Sequence, residues 1–271
     1  MIYIRELMSD SNNSMRPITP FIIQLWCGIR IAVHVVYGLL LLSIRFPFIQ
    51  QSAKNGYIQS WSLTLLSIFG MRLRVHNQGI LPSTPFLLAA NHISWIDIHA
   101  ISAFKPIRFV AKSEVANWPI FGWMARQIGT VFIRRDSSRH GKYVAEELSR
   151  VLQHESICIF PEGTSTSGTS VLPFKPNLFE SAVLAKVPVF SLAITYESSI
   201  TNQRTDIPAF IDDMGLLESI ANILKHRHLS VDLVFLPPSG SSPDSPNDRK
   251  WLALHSQEAI LRHLRGDNSL M

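Results

Sequence analysis

From residue 71 onward, short apolar runs alternate with longer segments of mixed polarity. Candidate strands fall at 72–76, 86–90, 107–111, 130–134, 156–160, 187–195 and 230–235. The clearest is Phe86-Leu87-Leu88-Ala89-Ala90, whose unbroken apolar character predicts a strand buried on both faces. Helices are predicted between the strands, at 95–104, 119–127, 142–153, 178–185, 214–225 and 248–264. Such alternation predicts an α/β domain with a mostly parallel sheet flanked by helices. The stretch 237–248 is rich in Pro, Ser and Asp and reads as a loop, with Asn247 as the expected N-cap of the last helix.

Ahead of this domain, assigned to 71–271, the pattern differs. Residues 1–16 form a polar tail, and 17–70 are an apolar region expected to associate with a membrane. Its cleanest part, 31–44, is short for a span, which takes about 20 residues. Extending it to Phe21 supplies the length but takes in Gln24 and Arg30. The segment therefore reads as a marginal transmembrane helix or one lying in the interface, with a buried core helix as the plainer alternative. A second apolar piece, 61–69, is placed to form a hairpin with it.

Composition agrees with a membrane surface. The chain is 46% hydrophobic with mean hydropathy +0.16, net charge +5 and pI near 9.4. A basic balance favours an anionic surface or substrate. No long basic run, zinc-finger spacing or RNA-binding signature points to nucleic acid. Cys27 and Cys158 are two isolated cysteines in apolar surroundings, which argues for core packing and a reducing compartment.

The candidate chemistry begins where the clearest strand ends, at Asn91-His92-Ile93-Ser94-Trp95-Ile96-Asp97. Sites in open α/β sheets form outside the carboxyl ends of strands. His92 is the natural general base and Asp97 a carboxylate able to orient it. On one continuous helix the two would lie about 140° apart, so the pair works only with His92 in a loop and Asp97 in the first helical turn. Ser94 to Asp97 also fits a capping box, a structural use of the same residues.

Three further blocks follow. Lys112 ends a strand and precedes Pro119-Ile120-Phe121-Gly122. Gly129-Thr130-Val131-Phe132-Ile133-Arg134-Arg135 is a glycine-led strand ending in arginine, a side chain suited to bidentate phosphate binding. Ser156-Ile157-Cys158-Ile159-Phe160-Pro161-Glu162-Gly163-Thr164 runs a buried strand into a tight turn bearing a carboxylate. Lys175 and the apolar Val187-Pro188-Val189-Phe190-Ser191 come after it. No Gly-x-Ser-x-Gly, His-Glu-x-x-His, Cys-x-x-Cys or glycine-rich phosphate loop is present.

In order and spacing, the Asn-His-x4-Asp block and these later blocks resemble the glycerolipid acyltransferases, the family of the 1-acylglycerol-3-phosphate and lysophospholipid acyltransferases. The resemblance covers roughly residues 71–195. It implies His92 and Asp97 as the catalytic pair. Arg135 would bind the acceptor phosphate, helped by Lys112 and Lys175. Glu162, with Gly163 and Thr164, would position the acceptor's glycerol. The implied reaction moves an acyl chain from acyl-CoA or acyl carrier protein to the sn-2 hydroxyl of lysophosphatidic acid, giving phosphatidic acid. No metal or bound cofactor is implied. The site would face the cytoplasm from the inner membrane. Ser165 stands where the family commonly has arginine, and branches with Thr or Ser there include enzymes for other lysolipids, among them lyso-ornithine lipid. Another such lysolipid is therefore the alternative acceptor. A lipid hydrolase using a serine such as Ser165 is the more distant alternative.

Overall fold

The computed structural model describes residues 18–133, 138–239 and 248–267. Seven strands build one sheet: β1 Met71–His76, β2 Leu87–Ala90, β3 Arg108–Lys112, β4 Val131–Ile133, β5 Ile157–Ile159, β6 Val189–Ser198 and β7 Leu229–Ser239. Their order is β1-β7-β6-β2-β5-β3-β4. Every neighbouring pair is parallel except β6 and β7. The sheet is thus mostly parallel, as the alternation predicts, and β1 and β7 run against the other five. The carboxyl ends of β2, β3, β4, β5 and β6 therefore share one edge, where the His92, Lys112 and Glu162 blocks emerge.

The helices are α1 Phe21–Leu40, α2 Gln51–Phe69, α3 Asp97–Phe104, α4 Phe121–Gln127, α5 Ser138–Leu152, α6 Glu180–Ala185, α7 Leu216–Lys225 and α8 Arg249–Arg265. They cover both faces of the sheet, which explains why β2 is apolar at every position. Leu88 and Ala90 join one core with Phe69 of α2, Ile101 of α3 and Ile223 of α7. Leu87 and Ala89 join the other with Leu148 of α5, Phe179 and Ile260 of α8. The N-cap of α8 is Asp248, whose side chain accepts from the N–H groups of Lys250 and Trp251, whereas the predicted Asn247 lies outside the described residues.

Helix α1 continues through a π turn at Leu41–Arg45 and a 3₁₀ turn at Phe46–Phe48. The whole apolar rod, Phe21–Phe48, runs 28 residues, and its apolar window has mean hydropathy 1.9. One face packs inward through Cys27, Ile31, His34, Gly38, Leu42 and Phe46, at spacings of three and four. The other exposes Ile22, Trp26, Ile29, Val33, Val36, Leu40 and Ile44. A core helix buries most of its surface, and only 28% of this segment's apolar window is buried. The plainer alternative is therefore set aside. The expected hairpin forms, and its second helix is longer than the apolar piece 61–69 because polar residues from Gln51 extend it toward its N-terminus.

The hairpin is tied together at its middle. His34 Nε2 lies 2.9 Å from the Trp61 carbonyl, Trp61 Nε1 donates to the His34 carbonyl at 3.1 Å, and the two rings stack at 4.5 Å. Gly38 makes this approach possible, since a Cβ there would sit 2.7 Å from Trp61 Nε1. At its start, Thr19 donates its N–H to the Lys225 carbonyl at the end of α7. The rod thus lies along the domain and turns an apolar stripe outward.

Replacing Ile22, Trp26, Ile29 and Val33 together by glutamine is expected to release the protein from phospholipid vesicles in a flotation assay while leaving its melting temperature nearly unchanged. Each such side chain contributes about 1.5–3 kcal/mol when fully buried in an apolar phase. Ile31→Ala is expected to do the reverse, keeping vesicle binding and costing about 2–5 kcal/mol of stability. Equal vesicle binding by the quadruple variant and wild type would show that the stripe does not face lipid.

Candidate active site

Strand β2 delivers its last residue into a fully buried environment, and Asn91 extends the pairing by side chain. Its Nδ2 donates to the Ile194 carbonyl at 3.0 Å, and its Oδ1 accepts from the Ile194 N–H at 2.7 Å. This fastens the end of β2 to β6 just before the chain turns. The following loop then carries His92 to the start of α3.

Asp97 opens α3 and is completely buried. Its Oδ2 accepts three hydrogen bonds, from His92 Nδ1 at 2.9 Å, Ile93 N–H at 2.7 Å and Ser94 N–H at 2.9 Å. Its Oδ1 accepts the Tyr196 hydroxyl at 2.5 Å. A buried carboxylate is costly unless hydrogen bonds replace its water, and this one has four donors. The predicted pairing of a loop histidine with a first-turn aspartate is therefore made. The helix starts at Asp97 rather than near Ser94, yet the bond from Ser94 N–H to the carboxylate is the one a capping box requires.

The imidazole of His92 donates Nδ1–H to Asp97, which leaves the lone pair on Nε2. The ring stacks on Phe160 at 4.1 Å, and 21% of the side chain is exposed. One ring nitrogen is thus committed to the carboxylate and the other is left for chemistry.

Glu162 follows β5 and is only 3% exposed. Oε1 accepts the His92 N–H at 2.7 Å and Oε2 the Leu172 N–H at 2.8 Å. Burial pushes its carboxyl up from the ordinary range, opposed by those two amides. Glu162 therefore belongs to the frame of the site, where it ties the end of β5 to the histidine loop. Gly163 takes a left-handed conformation at φ 75°, and its N–H donates to the Phe160 carbonyl, closing the turn. Thr164 is exposed beside it. Two more bonds brace the loop: Thr166 N–H donates to the His92 carbonyl and Phe210 N–H to the Ile93 carbonyl, both at 2.9 Å.

Of the predicted cations, Lys112 is exposed at the end of β3, with Ile133 as its register partner on β4. Lys175 is exposed, and its backbone N–H donates to the Pro161 carbonyl at 3.0 Å, beside Glu162. Arg135 lies outside the described residues, as does Arg134. Ser165 donates its hydroxyl to the Phe210 carbonyl and is engaged there rather than with His92. Burial and the Asp97 charge push the Cys158 thiol well up, so neither residue is presented as an activated nucleophile.

Sequence reasoning missed Tyr196 and the anchoring role of Asn91. The only signal for Tyr196 was a tyrosine within an apolar strand, since a buried phenol needs a hydrogen-bond partner.

A family model described as Acyltransferase matches residues 72–195. The lyso-ornithine lipid O-acyltransferase of Pseudomonas aeruginosa is 37% identical over 213 residues, covering 76% of this chain and 77% of that protein. The enzyme of the same name from Rhizobium meliloti is 32% identical over 221 residues, covering 77% and 75%. A 1-acyl-sn-glycerol-3-phosphate acyltransferase from Neisseria gonorrhoeae is 38% identical over 161 residues, covering 58% and 62%. The crystal structure of the 1-acyl-sn-glycerophosphate acyltransferase PlsC from Thermotoga maritima superposes with a TM-score of 0.66 at 21% identity, covering 92% of this chain and 96% of that one. It shares the fold.

Glu162→Gln is expected to lower stability by about 1–3 kcal/mol in chemical denaturation, because an amide offers one acceptor where two N–H donors wait and turns its NH₂ toward the other. An unchanged midpoint would mean that the two amides find other partners.

Proposed function

Because this chain belongs to the glycerolipid acyltransferase family, whose named members acylate lysolipids, we propose that it esterifies a lysolipid hydroxyl with His92 as general base and a cytoplasmic thioester as acyl donor. The observation that carries this reading is the His92–Asp97 bond. It commits Nδ1 and leaves Nε2 to take a proton. The acceptor hydroxyl gives its proton to Nε2 as its oxygen attacks the thioester carbonyl. The resulting imidazolium is stabilised by Asp97. When the tetrahedral intermediate collapses, the carbon–sulfur bond breaks and the proton passes to the departing thiolate. The acceptor is itself the nucleophile, so no acyl-enzyme is required. Glu162 acts here as a positioning residue, through the backbone of His92.

For the acceptor we favour lyso-ornithine lipid. Two observations support it. The relatives of that name align over about three quarters of this chain and of their own length. Ser165 replaces the arginine common in the family, and its hydroxyl is spent on the Phe210 carbonyl. A phosphate monoester calls for a bidentate guanidinium, whereas an ornithine headgroup brings a carboxylate together with its own amine and needs less cationic clamping. Lys112 and Lys175, with Arg135 from outside the described residues, supply the positive charge. Lysophosphatidic acid is the second reading, favoured by the 38% identity to the Neisseria enzyme. With acyl-CoA or acyl carrier protein as donor, the proposed site faces the cytoplasm from the inner membrane. The outward stripe of α1 rests in the lipid beside it.

The test offers labelled oleoyl-CoA and oleoyl-acyl carrier protein to the detergent-solubilised enzyme with lyso-ornithine lipid or lysophosphatidic acid. Ornithine lipid is the expected main product, and His92→Ala should lower its formation by at least ~10²-fold. Phosphatidic acid as main product would move the acceptor to the second reading. Full activity in His92→Ala would overturn the mechanism.

A further inference from the structure

The donors around Asp97 are unevenly shared. Three of them, the imidazole and two backbone amides, all converge on Oδ2. Oδ1 receives the Tyr196 hydroxyl alone. With Asp97 fully buried, no solvent replaces that bond. Tyr196 reaches it from β6, the strand paired with β2, 99 positions away in sequence. The phenol is 1% exposed within β6, among residues that pack by apolar contact. Phenylalanine would fill the same space without the cost of burying a hydroxyl. Packing alone thus leaves the hydroxyl unexplained.

We propose that Tyr196 is a positioning residue for proton transfer: its hydroxyl fixes Oδ1 of Asp97 and turns Oδ2 to the His92 imidazole. The inference rests on the reading of His92 as the base. A carboxylate sharing its charge with a donor at Oδ1 is a weaker partner for an imidazolium at Oδ2. Removing the donor concentrates charge on Oδ2, strengthens the imidazolium and raises the pH needed to free Nε2. Burial and the neighbouring Asp97 charge push the Tyr196 phenol well up, so it stays protonated and remains a donor throughout the working range.

Among the described residues, Cys158, Glu162 and His99 are further ionisable groups on the elements around the pair. On β5, the Cys158 thiol is pushed up and stays neutral. Glu162, after β5, holds the His92 backbone N–H, and its carboxyl is raised. On α3, His99 packs on Trp61 and Trp95, and burial lowers it to about 4. None of these is altered in a Tyr196 variant, so their contributions cancel in a comparison with wild type.

The experiment measures kcat/KM against pH for wild-type enzyme, Tyr196→Phe and a variant carrying 3,5-difluorotyrosine at 196. The acid limb of Tyr196→Phe is expected to move up by about half to one pH unit, part of the energy of one hydrogen bond to a charged group expressed as a pKa shift. Its kcat at neutral pH should fall, with KM for the acceptor unchanged. Difluorotyrosine is nearly isosteric and a stronger donor, so its acid limb should move down. A purely structural tyrosine would lower melting temperature and leave both limbs in place. Profiles superposing on wild type, with His92→Ala inactive, would overturn the role of Tyr196 alone. An active His92→Ala would overturn the reading beneath it.

Discussion

A carboxylate that has lost all its water must find its hydrogen bonds within the protein, and Asp97 finds four. This requirement organises the site. Two donors are amides of its own loop, so the loop must fold back on the first turn of α3. A third is the imidazole, which fixes the ring and its tautomer together. The fourth comes from a strand on the opposite side of β2, so the site exists only when β2 and β6 are in register. The same buried charge that fixes the His92 ring thereby couples the site to the assembly of the sheet centre.

The surrounding bonds extend this coupling. Asn91 fastens β2 to β6 with a pair of bonds to Ile194. Glu162 fastens β5 to the histidine loop and to Leu172. Thr166 and Phe210 reach the same loop from two others. The segment is thus held by hydrogen bonds at most of its positions, and only His92 and Trp95 within it keep partial exposure. Pre-organisation of this kind keeps the imidazole in place without any ligand.

Much of this was legible in the sequence, for identifiable reasons. The parallel sheet follows from runs such as 86–90, and the His92–Asp97 geometry from a spacing that excludes one continuous helix. The antiparallel pairing of β6 with β7 was not legible, because hydrophobic alternation sets burial and carries no information on strand direction. Glu162 announced itself as a carboxylate in a tight turn, but whether such a group faces substrate or backbone depends on loops that converge only in three dimensions. Tyr196 was hidden for the same reason, since its partner is remote in sequence. The start of α3 lies two residues after its predicted one, where the Asp97 side chain bonds back to the histidine loop.

Because α1 is packed against the domain on one side and apolar on the other, the molecule has little freedom to turn once it rests on a bilayer. Under the proposed membrane contact, the edge that carries His92 keeps a constant height and tilt relative to the headgroups. An enzyme held in this way meets its lipid in two dimensions, so the quantity that governs its rate is the mole fraction of acceptor in the surface, not the amount per litre. Diluting the acceptor with inert lipid should slow it even when nothing in bulk solution has changed.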